Sequence, residues 1–160
     1  MTFRSGIGFD VHRFEEGREL VLGGVTVLND KGLAGHSDAD VVTHAIMDAL
    51  LGAAALGDIG DHFPDSDAKW KDARSVEMLT TVRDKIAQRG YAIRSVDAAV
   101  QCEAPRLAPY RDRMRAELAS AMRIDRSQVN VKFGTNEGMG FVGRGEGIAC
   151  QAIATIEWVG

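Results

Sequence analysis

The sequence predicts an α+β fold: a single domain over residues 1–160, with a mixed four-stranded main sheet, helices packed on one face, and a small β-hairpin. Three observations predict it. The length of 160 residues fits one domain. Apolar residues make up 45% and charged residues 26%, and a chain of this size buries roughly 70% of its unfolded surface, enough for a core without staples. The hydrophobic periods run β-β-α-α-β-α-β-β, with no repeat, linker or low-complexity tract.

Each element follows from local pattern. Residues 6–14 read as a strand, and Leu20 to Val27 as a hairpin turning at Gly23-Gly24. Ser37 is the expected N-cap of the first helix, because Asp40 falls at the capping-box position. That helix should run to about Leu56, before Gly57 and Gly60, and its small apolar centre (Ala49, Leu50, Leu51, Ala53, Ala54, Ala55) implies burial on several sides. Asp61 to Lys71 carries Pro64 and reads as a surface loop. The second helix covers about Arg74 to Arg89, with Met78, Leu79, Val82 and Ile86 on one face and Gly90 after its end. Tyr91 to Cys102 is strand-like. Pro109 is placed to open a third helix, striped by Met114, Leu118 and Met122. Val129, Val131 and Phe133 alternate with polar residues as a strand, glycines crowd 134–147 as a tight loop, and Ile148 to Trp158 is the final strand.

Charge and composition exclude several classes of function. With 23 acidic and 19 basic residues the formal charge is −4, and no Lys/Arg run marks a nucleic-acid partner. The longest apolar run, Ala49 to Gly57, is far short of a membrane span. Met1-Thr2-Phe3-Arg4 leads straight into strand-like sequence without a signal-peptide core. Cys102 and Cys150 sit in apolar strand patterns with no neighbouring His, which suits core residues in a reducing cytoplasm.

Four segments carry candidate chemistry. Asp10 and His12 leave the same face of a strand, and His44 lies on the inner stretch of the first helix. Asp-His-His with one open position is a catalytic zinc pattern. Asp48, one turn beyond His44, is placed to hold the free imidazole N–H. The ordinary alternative makes His12 a surface residue and His44 a hydrogen-bonded, half-buried one, since three ligands from two segments are a short signature. His36 and Ser37 precede the first helix, where backbone N–H groups and the helix dipole favour phosphate. Asp58-Ile59-Gly60 and Phe63-Pro64-Asp65-Ser66-Asp67 form either a solvated loop or acceptors for sugar hydroxyls. Gly138 to Gly143 formally fits G-x-G-x-x-G, but a strand follows and not a helix, so a dinucleotide fold is rejected.

Together, Gly8-Phe9-Asp10-Val11-His12, His36-Ser37-Asp38-Ala39-Asp40 running through to Asp67, and Gly140-Phe141-Val142-Gly143-Arg144-Gly145-Glu146-Gly147 resemble the 2-C-methyl-D-erythritol 2,4-cyclodiphosphate synthase family. The likeness runs in order over about residues 6–155. The resemblance implies Zn²⁺ on Asp10, His12 and His44, one per subunit. His36 and Ser37 would meet the phosphate and methylerythritol, with Asp58, Ile59, Gly60 and residues 63–67 around the sugars. Cys102, Glu103, Ala104, Pro105, Arg106, Leu107 and Ala108 correspond to a cytidine pocket, together with Gly134 and Asn136. Thr135 matches a residue that steadies the transition state, and Glu137 a ligand to Mg²⁺ or Mn²⁺. Phe141, Arg144 and Glu146 match the lining of a central channel in a homotrimer, a place for an isoprenoid diphosphate. Arg106 stands where the family commonly has Lys, and Gly134 and Asn136 where it often has Thr or another small residue.

The implied reaction is cyclisation of 4-diphosphocytidyl-2-C-methyl-D-erythritol 2-phosphate with release of CMP, in non-mevalonate isoprenoid biosynthesis. A zinc phosphohydrolase would use the same triad to activate water. A non-catalytic trimeric binder of isoprenoid diphosphates would need neither Thr135 nor Glu137.

Overall fold

The computed structural model describes residues 2–160; Met1, where the leaderless reading begins, lies outside them. In chain order the elements are β1 (Phe3–Glu16), β2 (Leu20–Leu22), β3 (Val25–Val27), β4 (Lys31–Leu33), α1 (Val41–Ala53), α2 (Ile59–His62), α3 (Ser75–Gln88), β5 (Tyr91–Gln101), α4 (Arg111–Met122), β6 (Val129–Gly134), α5 (Gly140–Gly143) and β7 (Gly147–Trp158). The main sheet has the order β4-β1-β7-β5-β6, and β2-β3 form a separate hairpin sheet. All main-sheet neighbours are antiparallel except β5 and β6, whose parallel pairing needs the crossover that α4 supplies. The sheet thus has five strands and not four. The extra strand is Lys-Gly-Leu, paired with Phe14–Glu16 at the end of β1 and too short to show any alternation in sequence.

Close packing of α1 on β1 organises the molecule. Residues of even number in β1 face the helices, and two of them are Gly6 and Gly8. A Cβ at Gly6 would collide with the Ala49 carbonyl, and one at Gly8 with the Ala45 carbonyl. The facing helix positions are Ala45, Ala49 and Ala53, so backbone lies almost on backbone, and the next inward residues of β1, Asp10 and His12, come beside His44. This explains the small apolar centre of α1, nearly all of which is buried.

Several boundaries differ from the sequence expectation. Asp40, and not Ser37, is the N-cap of α1, accepting from Thr43 N at 3.0 Å. The same buried carboxylate accepts from Gly23 N and Gly24 N, both at 2.8 Å, and so ties the hairpin turn to the helix. Both turn glycines have positive φ, 57° and 75°, as a tight two-residue turn requires. The helix ends at Ala53, with Ala55 in the left-handed region. The stretch expected to be a loop, Asp61 to Lys71, begins inside α2, which an Asp58/Asp61 capping box closes, and holds a single 3₁₀ turn at Ala68–Trp70. Pro109 opens a 3₁₀ turn before α4 rather than α4 itself, and the glycine-rich segment winds into α5.

The core, mainly Leu, Ile, Val, Met and Ala, lies between the sheet and α1, α3 and α4. The opposite sheet face carries exposed Ile7, Phe9 and Val11 on β1 and Ile153 on β7, with Ile7 paired to Ile153.

Candidate metal centre and substrate cavities

Asp10, His12 and His44 converge on one point. Asp10 Oδ2 stands 2.9 Å from His12 Nε2 and 3.0 Å from His44 Nδ1, and the two nitrogens are 3.2 Å apart. Ligands held about 2.0–2.1 Å from a tetrahedral zinc ion stand about 3.3 Å from one another, so the triangle has nearly the size such an ion requires. Among the described residues this is the one group of three or more His, Cys, Asp or Glu side chains that could share an ion.

Proton accounting tests the fit. His12 Nδ1 lies 2.6 Å from the Ala34 carbonyl and must donate to it, so Nε2 of the neutral ring points a lone pair at the centre. His44 Nε2 lies 2.8 Å from Ser75 Oγ and 3.1 Å from Ser37 Oγ. Ser75 gives its own hydroxyl proton to Asp38 and so accepts from His44, leaving His44 Nδ1 bare. Two imidazole lone pairs and a carboxylate therefore face each other, an arrangement that only a cation or an added proton makes favourable. The donor set fits a divalent ion with one open position. Without an ion, the added proton goes to His12. Burial works against its charge, but the Asp10 hydrogen bond and charge raise its pKa above 6.5. Burial likewise raises Asp10, yet its interactions with the neighbouring His12 and His44 bring it down from 3.8 to about 2.

Asp48 does not hold His44 as expected. It accepts from Ile59 N at 2.9 Å and so fixes the start of α2, while Ser75 and Asp38 take the role beside His44. Nor do His36 and Ser37 sit in the first turn of α1, whose end is filled by the Asp40 carboxylate, so the helix-dipole argument for phosphate there fails. His36 is held instead by its carbonyl, which accepts from Asp72 N at 2.9 Å.

A cavity of about 460 Å³ opens on the triad, walled by His36, Ser37, Ile59, Gly60, Phe63, Pro64 and Asp65. Trp70 and Met78 also line it; the sequence pattern marks Met78 only as part of the apolar face of α3 and gives Trp70 no role. Trp70 meets Phe63 edge-on at 4.8 Å between ring centres. Asp58, Ser66 and Asp67 are not in this wall; Asp58 and Asp67 cap the short helical turns around them. A second cavity, of about 370 Å³, is lined by Cys102, Glu103, Pro105, Arg106, Leu107, Ala108, Gly134 and Thr135, with Phe133 added, but not by Ala104 or Asn136. The two share no residue. Glu137 lies in the exposed turn beyond β6 with φ of 53°, and forms no cluster with the triad among the described residues. A third cavity joins His12 to Phe141 and Glu146, while Arg144 is turned onto Glu146 at 2.7 Å. Burial pushes the Cys102 thiol up to about 11 and Cys150 higher still, so neither is an activated nucleophile.

The model of the YgbB family matches residues 3–157, which include the triad and both substrate-sized cavities. The chain belongs to that family. Curated YgbB-type relatives include 2-C-methyl-D-erythritol 2,4-cyclodiphosphate synthase of Salinibacter ruber, 58% identical over 154 residues, covering 96% of this chain and 98% of that protein. The enzyme of the same name from Alkaliphilus metalliredigens is 54% identical, with 96% of each chain covered. Among solved structures, IspF of Plasmodium falciparum in complex with CDP superposes with a TM-score of 0.86 at 32% identity, covering 99% of this chain and 97% of that one. The bifunctional IspDF of Campylobacter jejuni gives a TM-score of 0.95 at 40% identity, but the matched part is 42% of that longer chain. The family is therefore one of enzymes acting on a small molecule. No helix among the described residues is long and apolar enough to cross a membrane.

Proposed function

We propose that the chain is a phosphorus–oxygen lyase that cyclises 4-diphosphocytidyl-2-C-methyl-D-erythritol 2-phosphate. An oxygen of the 2-phosphate attacks the β-phosphorus, one P–O bond forms, and the bond from the β-phosphorus to the bridging oxygen breaks. CMP leaves with that oxygen. The nucleophile is already an anion, so the chain must supply positioning and charge rather than a strong base. The observation that carries this reading is the convergence of Asp10 Oδ2, His12 Nε2 and His44 Nδ1 within 3.2 Å in a cavity.

A divalent ion bound by that triad supplies positive charge to the diphosphate; Zn²⁺ suits its one oxygen and two nitrogen donors, and Glu137 would hold Mg²⁺ or Mn²⁺ with the substrate. His36 and Ser37 orient the methylerythritol phosphate beside the triad. Ile59, Gly60 and the 63–67 segment, under the Phe63–Trp70 pair, exclude water from the folded-back substrate. Cys102 and residues 104–108, with Gly134 and Asn136, take the cytidine, and Thr135 donates to the crowded phosphate oxygens.

The two cavities share no residue, and the sheet leaves Ile7, Phe9, Val11 and Ile153 exposed; both support a homotrimer with sites completed between subunits. Phe141, Arg144 and Glu146 would then line the central channel, open to an isoprenoid diphosphate. The reaction belongs in the cytoplasm.

Phosphorus NMR of the protein with the substrate and Mg²⁺ tests the reading. Cyclic diphosphate and CMP in equal amounts are expected. CMP with an open-chain bisphosphate, two phosphate monoesters and no P–O–P linkage, would make the chain a hydrolase, and an unchanged spectrum a binder.

A further inference from the structure

Glu103 lines the second cavity, and both of its carboxylate oxygens are engaged by backbone N–H groups. Oε2 accepts from Asn136 N and Oε1 from Gly138 N, both at 2.9 Å. These two amides flank Glu137, whose φ of 53° lies in the left-handed region that side chains with a Cβ avoid, and Gly138 follows at 75°. One residue earlier, Cys102 N donates to the Gly134 carbonyl at 2.9 Å. Within the turn, Glu137 N donates to Thr135 Oγ1 at 3.3 Å. The segment after β5 and the turn after β6 are thus bolted together at both ends, and a carboxylate grips the strained residue from either side.

We propose that Glu103 is a positioning residue, a clamp that holds Thr135 and Glu137 in place relative to the cytidine segment, and not a contact to the nucleotide. Its place in catalysis rests on the reading above that Thr135 and Glu137 face the diphosphate. The clamp makes nucleotide binding and placement of the reacting phosphate one rigid arrangement: the wall formed by residues 102–108 cannot move without carrying the turn. A carboxylate does this where an amide does not. In Glu103→Gln one oxygen still accepts, but the NH₂ group faces the other backbone N–H, so one of the two bonds is lost and replaced by donor–donor repulsion.

The test uses the assembled enzyme with Glu103→Gln and Glu103→Ala, melting checked for each. Three quantities are read: amide exchange at Asn136 and Gly138, CMP affinity by calorimetry, and kcat against KM. In both variants exchange at the two amides should quicken about tenfold or more. CMP affinity should stay within about threefold of wild type while kcat falls by up to about a hundredfold, as expected for misplaced groups. Weakened CMP binding with amide exchange unchanged would overturn the proposal and make Glu103 a nucleotide ligand. Fast exchange with unchanged kcat would overturn the link to catalysis. A wild-type protein that fails to bind CMP would instead refute the cytidine reading, and the exchange rates would still decide whether the clamp exists.

Discussion

Substituting Gly8 by alanine should damage the metal centre without touching a ligand. An added Cβ would fall on the Ala45 carbonyl, far inside the 3.0 Å below which such contacts essentially do not occur, and the obstacle is helix backbone. The strand is paired along its length with β7, so α1 must give way, and His44 is next to Ala45 in that helix. A retreat on the order of 1 Å would open a triangle whose sides are 2.9, 3.0 and 3.2 Å and would cost about a hundredfold in activity. Overpacking of this severity costs about 3 kcal/mol, and for a chain of this length that lowers the melting temperature by about 6–12 °C. The control is Gly52→Ala in the same helix, where the nearest atom to an added Cβ is Ile7 O at 3.9 Å. There the helix gains up to about 1 kcal/mol. Calorimetry and elemental analysis of zinc on both variants provide the assay. If Gly8→Ala melted and bound zinc like wild type, the account of how α1 delivers His44 would be wrong.

Further expectations follow from the same geometry. His44→Ala should lose tightly bound zinc and nearly all turnover while circular dichroism stays native; full zinc occupancy would show the triad misassigned. Zinc must displace the proton that Asp10 holds on His12, so zinc affinity should climb about tenfold per pH unit below the raised His12 pKa and level off above it; a competition titration giving no pH dependence would refute this. In the zinc-free protein the signs differ. The lowered pKa of Asp10 contributes stability above about pH 4 that disappears as pH falls towards 2, whereas His12 contributes below 6.5 and loses it as pH rises through its raised value, both read by urea unfolding. Glu137→Gln should leave zinc content unchanged but slow CMP release, with partial recovery at high Mn²⁺; Mg²⁺ titrations that coincide with wild type would remove Glu137 from the site. Phe9→Asp, on the uncovered sheet face, should dissociate the proposed homotrimer in light scattering, and an active wild-type monomer would exclude that trimer.

Periodicity revealed the elements that bury a stripe. The apolar faces of α3 and α4, the alternation of β6 and the glycine pair between β2 and β3 are all visible because each repeats over its own length. Pairings between distant segments have no such trace. The strand Lys31–Leu33 exists only because the end of β1 offers it an edge, and the cap of α1 is Asp40 because that carboxylate also binds Gly23 and Gly24, 17 and 16 residues away. The metal ligands were legible as chemistry-bearing types at strand spacing and on a buried helix. Their supports were not: Ser75 and Asp38 are 37 residues apart and look like ordinary helix-start and turn residues. Asp48, at helical spacing from His44, was the natural guess, and it failed because the backbone of α2 captured it first.

Charge gives the strongest physical reason to take the triad as a metal site. The cavity beside it contains no Lys or Arg and does contain Asp10 and Asp65, in a chain whose formal charge is −4. A substrate with a diphosphate and a further phosphate would meet acidic walls there, relieved only by imidazoles. The second cavity adds one cation, Arg106. Like charges at contact distance cost about 4 kcal/mol per pair at the dielectric of a protein surface, so this protein alone would repel the polyanion it is built to fold. The positive charge must come with divalent ions, and Asp10, His12 and His44 offer one of them three lone pairs already at ligand spacing. A metal-stripped protein should therefore lose affinity for the substrate as well as turnover, and isothermal titration after chelation would show it. If the stripped protein still bound the intact substrate tightly, the charge balance argued here would be wrong and the triad would have to serve another purpose.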